Sequence, residues 1–270
     1  MLKLRIVTVA VVLPLFLAAI FLLPNSWWSL ALVAPLLVAG HEWSRLAGFG
    51  RNVEALFLLA LLAGCWLLWM AASLAATRPA NASAAIDRTF YVMNVAFWCV
   101  VAPCWLWLKL AVRDPVALAA AGLVVLLPAW LALARLQNDA PLLLLLLGVI
   151  WIADSAAYFT GRALGRRKLA PAISPGKTWE GVGGAFAAVT VYALALHFSL
   201  LAARDLPAVI SGFVVMTVLS IVGDLFESWL KRNAGVKDSG GIFPGHGGML
   251  DRIDGITAAL PLAALIFIQP

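Results

Sequence analysis

Apolar runs long enough to cross a bilayer recur along nearly the whole of this chain, and they leave little room for any other kind of fold. A hydrocarbon core of roughly 30 Å takes about 20 apolar residues per helix, and lipid offers unpaired backbone groups no partner, so such runs fold as helices. With 64% of its 270 residues hydrophobic, the chain keeps no stretch free for a soluble domain of ordinary size. The fold class is all-α, a polytopic membrane protein with about nine transmembrane helices. The spans fall near 4–23, 27–41, 54–76, 90–112, 115–134, 140–160, 181–203, 207–230 and 255–269. The first has the basic start of a signal peptide, but its apolar run is too long and further spans follow, so it is read as a retained helix. The second and ninth are short, which suits little tilt, a thinned bilayer or a partly re-entrant path.

Orientation follows from the cations. If the N-terminus is cytoplasmic, only Arg78, Arg88, Arg135 and Arg204 of the 19 Lys and Arg residues fall in outer connections. That asymmetry satisfies the positive-inside rule. It also explains the net charge of +6 without nucleic acid, helped by attraction to anionic membrane lipids and phosphate-bearing substrates. Cys65, Cys99 and Cys104 all lie in apolar runs without paired C-x-x-C spacing, and read as packing residues.

The chain is lopsided. Residues 1–150 read as a lipid-facing transmembrane scaffold with short connections, and Trp27, Trp28 and Trp107 stand near span ends, where aromatic belts occur. Residues 151–270 read as a catalytic transmembrane region with long, charged, glycine-rich cytoplasmic loops, forming one integral unit with the scaffold. No convincing repeat is visible, which weighs against a transporter built from inverted halves.

Chemistry concentrates in three places. Asp154 shares a helix face with Tyr158, Gly161 and Gly165. A carboxylate within a span costs at least ~2.5 kcal/mol to insert, so a site is the default reading, although Gly161-x-x-x-Gly165 also suits a packing seam, within the chain or in a homodimer. Next, Ser174-Pro-Gly-Lys177-Thr178 offers a turn, hydroxyls, a Lys and amides just ahead of a helix, a common way to hold phosphate. It lacks P-loop spacing. Third, Gly223–Gly255 carries Asp224, Glu227, Ser228 and Lys231 on one helical stripe, then a basic glycine loop with Lys237 and His246, then Asp251, Arg252 and Asp254. An internal stripe pairing Glu227 with Lys231 and Asp224 with Ser228 is the plainer account. Carboxylates converging from two helix ends beside Lys and Arg also match a Mg²⁺ site completed by phosphate oxygens and water. His246 has no second His or Cys nearby and suits donation to phosphate better than zinc.

Ser228-Trp-Leu-Lys231-Arg232, Lys237-Asp-Ser-Gly240 and Phe243-Pro-Gly-His246-Gly247-Gly248-Met-Leu-Asp251-Arg252-Ile-Asp254 together resemble the signature of phosphatidate cytidylyltransferases (CDP-diacylglycerol synthases). The segments around Asp154, around Ser174–Gly181 and at Glu42-Trp43 resemble the same family, while most of residues 1–150 match in hydropathy alone. The resemblance implies transfer of a cytidylyl group from CTP to phosphatidate in a bacterial inner membrane, with the active site facing the cytoplasm. It implies metal-binding carboxylates at Asp224 and Asp251, to which Asp254 and Asp154 are added, for Mg²⁺ with a second cation left open. Lys231, Lys237, His246 and Arg252 join Asp224 and Asp251 as catalytic candidates. Ser174, Lys177, Thr178, Tyr158, Glu180, Ser228, Arg232, Gly247 and Gly248 are the substrate-binding candidates. Two alternatives stand beside this reading. A CTP-dependent polyprenol or phytol kinase would need a general base for its alcohol acceptor. An ion-coupled transporter would need paired broken spans.

Overall fold

The computed structural model describes residues 2–75, 81–201, 205–243 and 247–268. Helices follow the apolar runs: α1 (Leu2–Leu22), α2 (Asn25–Ala31), α3 (Val33–Leu46), α4 (Arg51–Ala75), α5 (Asn81–Ala96), α6 (Ala102–Trp107), α7 (Pro115–Leu136), α8 (Ala140–Leu164), α9 (Trp179–Ser199), α10 (Leu206–Asn233) and α11 (Leu250–Phe267). Three of them start on an Asp cap with Pro in the first turn. Asp114, Asp139 and Asp205 accept from the amides of Ala117, Leu142 and Ala208, where helix-end N–H groups lack internal partners. Two short strands, β1 (Lys168–Ala170) and β2 (Ser174–Thr178), form an antiparallel hairpin between α8 and α9.

Among the described residues, five helical stretches are long and apolar enough to cross a membrane: 51–73, 84–107, 115–164, 179–199 and 206–233. The third is α7 and α8 joined through a 3-10 turn at Gln137–Asp139. Two expected spans share the 115–164 stretch, the described apolar part of the first covers only Ala10–Leu22, and the second and ninth fall short for physical reasons. The expected second span is broken at Leu32 into helices of 7 and 14 residues. The last is only 18 residues long and begins among Asp251, Arg252 and Asp254. The fourth span ends at Trp107 rather than 112, ahead of the charged stretch Lys109–Asp114.

The scaffold half is not simply lipid-facing. Helix α7 packs against α11 and α4, with Val125–Ala132 buried almost continuously, and α5 also lies on α11. Its tryptophans divide accordingly. Trp27 and Trp107 are exposed as a belt requires, but Trp28 is buried and donates to the Leu133 carbonyl at 3.0 Å. Cys65 is buried, whereas Cys99 and Cys104 are exposed, and all three are free thiols.

A ring cluster ties the two halves together. Phe226 of α10 is enclosed by Trp43, Phe97, Trp98 and Trp105, with ring centroids 5.4–6.4 Å away. Phe97 and Trp98 sit in a π-helical turn (Phe97–Val101) between α5 and α6, and the extra residue of such a turn changes which side chains face inward. With Phe226 held on that side, the stripe carrying Asp224, Glu227 and Lys231 is turned toward the charged loops.

Candidate active site

Small residues let the site-bearing helices close up. A Cβ on Gly223 would meet the Asp254 carbonyl oxygen at 2.5 Å, so α10 and α11 touch where their carboxylates lie. On the other flank, a Cβ on Gly181 would lie 2.8 Å from the Ala157 carbonyl oxygen, and one on Gly161 would lie 2.9 Å from Thr178 Oγ1. The Gly161/Gly165 face thus packs α8 against α9 and β2 within the chain.

The hairpin decides which residues of Ser174–Thr178 reach the centre. Neighbouring side chains on a strand point to opposite faces, so Lys177 and Thr178 diverge, while an irregularity in the pairing leaves Ser174 outside that alternation. Thr178 is buried, and its hydroxyl caps α9 by accepting from Gly181 N at 3.1 Å. Lys177 Nζ lies 2.6 Å from Asp224 Oδ2. Glu180 directs its carboxylate to the amides of Arg166 and Arg167 at 3.1 and 3.2 Å and so pins the entry to the hairpin. Tyr158 is exposed beside Phe159 and accepts from Arg162 at 3.1 Å. Ser174, at the far end of β2, is half-buried.

On α10, both pairs expected within the stripe are present. Ser228 Oγ donates to Asp224 at 3.3 Å, and Lys231 Nζ to Glu227 Oε2 at 3.1 Å. Tertiary contacts add what spacing does not encode. Lys231 also reaches Asp251 Oδ1 at 2.5 Å, bridging α10 to α11. Asp251 Oδ2 accepts from Ser239 N, Ser239 Oγ and Gly248 N at 2.8–3.0 Å. Gly247 makes this possible, with φ +84° and no Cβ to meet the Asp251 oxygen. Asp251 stands ahead of the apolar run of α11. Burial raises its affinity for a proton, but the Lys231 ammonium and the Gly248 and Ser239 amides outweigh that and hold its pKa below the usual value.

Asp154, Asp224 and Asp254 stand within electrostatic reach of one another and of Lys177. Asp154 is accessible yet densely surrounded, and Asp254 is part-buried. Arg232 braces loops, donating to the carbonyls of Ile173 and Val236. Lys237 and Arg252 lie on the surface, and Gly248 lines the loop through its amide. His246 lies outside the described residues. An open cavity of about 540 Å³ lies beside Leu164, Arg166, Arg167, Trp179 and Glu180, next to the hairpin. Another of about 270 Å³, lined by Asn25, Ser29, Trp130 and Arg135, lies at the opposite end of α8.

Among the described residues, no three His, Cys, Asp or Glu side chains converge as a preformed metal cage. Mg²⁺ does not require one, since it keeps water and takes one or two carboxylates with substrate phosphates. The all-oxygen donors and the buried, unpartnered Glu227 Oε1 suit such a hard cation.

Sequence reasoning assigned no role to Glu42 of α3. It is 3% exposed and bonds to the loop ahead of α11. A buried acid in an apolar run was the available signal.

Lysines set against carboxylates where α10 meets α11 and the hairpin suit a site for phosphate-bearing ligands in a membrane enzyme. The chain belongs to the cytidylyltransferase family, whose model matches residues 3–269. It is 38% identical to a phosphatidate cytidylyltransferase of Pseudomonas aeruginosa, over 98% of this chain and 97% of that one. A protein of the same name from Haemophilus influenzae is 33% identical over 99% of each chain. One from Brucella melitensis is 49% identical over 52% of this chain and 54% of its own length.

Proposed function

We propose that the protein transfers the cytidylyl group of CTP to phosphatidate, giving CDP-diacylglycerol and pyrophosphate. The observation that carries this reading is the meeting of two Lys–Asp pairs, Lys177–Asp224 and Lys231–Asp251, from separate segments of a chain that matches its family along its length. A phosphatidate monoester is its own nucleophile. One of its oxygens attacks the α-phosphorus of CTP, the bond from that phosphorus to the bridging oxygen breaks, and pyrophosphate leaves with the electron pair. No Ser or Cys nucleophile is needed. The protein's task is to bring two polyanions together and to stabilise charge on the α-phosphate and the leaving group.

Lys177 and Lys231 supply fixed cations for that task, Lys177 held by Asp224 and Lys231 by Glu227 and Asp251. Asp224 and Asp251, with Asp254 and Asp154 beside them, would hold Mg²⁺, which supplies Lewis-acid stabilisation of the phosphoryl oxygens when bound. Lys177 and Lys231, set beside those carboxylates, would face the phosphate oxygens next to such an ion. Lys237 and Arg252, both exposed, would add cations to the site, with His246 as a further donor to phosphate.

The topology assigned here has nine crossings: α1, α2–α3, α4, α5–α6, α7, α8, α9, α10 and α11. Charge supports a cytoplasmic N-terminus and an active site facing the cytoplasm across the bacterial inner membrane. Lys177 of the hairpin and Lys231 and Arg232 of the last turn of α10, all in the set expected on the inner side, reach partners on α10, on α11 and beside β2, while Arg135 of the outer set pairs with Asp87 at 2.7 Å. The test is CTP-dependent formation of CDP-diacylglycerol by the purified protein, with Mg²⁺ or EDTA and with a prenol as alternative acceptor. Activity that needs phosphatidate and divalent cation, and falls at least ~100-fold in Asp224→Asn and Asp251→Asn, is expected. Phosphorylation of the prenol, or full activity in either variant, would overturn the assignment.

A further inference from the structure

Helix α11 begins without a local cap. Its N-terminal flank, Met249, offers no capping side chain, so the first amides need acceptors from elsewhere. They come from the other half of the chain. Glu42 Oε1 accepts from Met249 N at 2.9 Å, and Oε2 accepts from Leu250 N at 2.8 Å. The next amide back, Gly248 N, goes to Asp251 Oδ2. Two carboxylates thus take three successive amides at the positive end of a helix, where negative charge is favoured.

The two carboxylates are also joined directly. Ser239 Oγ lies 2.9 Å from Glu42 Oε2 and 3.0 Å from Asp251 Oδ2, and a hydroxyl has a single proton to share between them. Close approach is built in on both sides of the loop, since a Cβ on Gly240 or on Gly248 would strike the Glu42 carboxylate. Glu42 itself is buried on a helix whose next residue, Trp43, packs against Phe226. Its position is set by the scaffold, and the loop conforms to it.

We infer that Glu42 is a positioning residue for the transfer reaction, acting through Ser239 and the α11 amides to hold Asp251 against Lys231. The inference rests on the reaction proposed above. Substitution by Gln keeps the size but turns its NH₂ group toward the amide of Met249 or of Leu250, whichever way it is flipped, so one bond becomes a donor–donor contact. Serine 239 carries the link to Asp251, so its removal produces part of the same defect by the same route.

The experiment compares wild type, Glu42→Gln, Ser239→Ala and the double variant in steady-state CTP and phosphatidate kinetics, below all their melting temperatures. The expected result is a fall in kcat of about 10–100-fold for Glu42→Gln, as for other partners that orient a site carboxylate. KM for CTP stays within about twofold, and the double variant is no worse than the Glu42→Gln single, because both act through one bridge. Hydrogen exchange across 247–252 reads the geometry independently of turnover, and Glu42→Gln is expected to lose protection there. Unchanged kcat, multiplicative effects in the double variant, or unchanged protection would overturn the inference. An inactive wild type overturns the proposed reaction instead, whereas an active wild type matched by Glu42→Gln overturns only the role of Glu42.

Discussion

Replacing Lys231 by Met separates the two Lys–Asp pairs by their burial. Lys231 is bonded to both Glu227 and Asp251, and the side chains involved are only 8–11% exposed. Methionine keeps the length but removes the charge, leaving two neighbouring buried carboxylates without their shared cation. Breaking a buried pair from one side costs about 3–5 kcal/mol. At roughly 2–4 °C per kcal/mol for a chain near this size, the melting temperature should drop by about 6–20 °C. The Lys177–Asp224 pair is a control of the same chemistry in a wetter place, with side chains 24% and 37% exposed. Screening leaves such a pair ~0–1 kcal/mol, so Lys177→Met should shift the melt by less than about 4 °C. Thermal unfolding of the purified variants in one detergent reads both. Adding Glu227→Gln to Lys231→Met removes one orphaned charge and should restore at least half of the lost stability. A Lys231→Met protein melting within about 2 °C of wild type, or a larger shift for Lys177→Met, would refute the reasoning.

Two further outcomes follow from local geometry. Thr178→Ala removes the α9 cap and should cost about 1 kcal/mol by thermal melt, while Thr178→Ser, which keeps the hydroxyl, should lose less than half of that. Gly247→Ala forces a Cβ onto a residue at φ +84° and against an Asp251 oxygen. It should cost ~1–2 kcal/mol and lower cytidylyl transfer, and wild-type kinetics in that variant would contradict the geometry described for Asp251.

Much of the site was legible because helical spacing carries local information. The Asp224–Ser228 and Glu227–Lys231 pairs are four residues apart, and both form as spacing requires. The hairpin was not legible. Strands of three and five residues are too short to show a period, so Ser174–Thr178 read as a turn with all its polar groups available. Once it is a strand, alternation sends Lys177 to Asp224 and Thr178 into the α8–α9 seam. The tryptophans misled for a related reason. Proximity to a span end suggests an interfacial belt, yet Trp28 turns inward to bond a carbonyl of α7.

The amino-acid sequence by itself determined the helical membrane class, the family and the stretch where charge gathers. Each of these rests on composition or on residues close together in the chain, and apolar length and short-range spacing are sufficient to specify them. Only the tertiary structure decided how the carboxylates are shared. Lys231 joins Asp251 across 20 residues, and Glu42 meets Leu250 across 208. Such contacts depend on how α3, α10 and α11 pack against one another, and that packing is set by side-chain shape across the whole bundle, which no local pattern records.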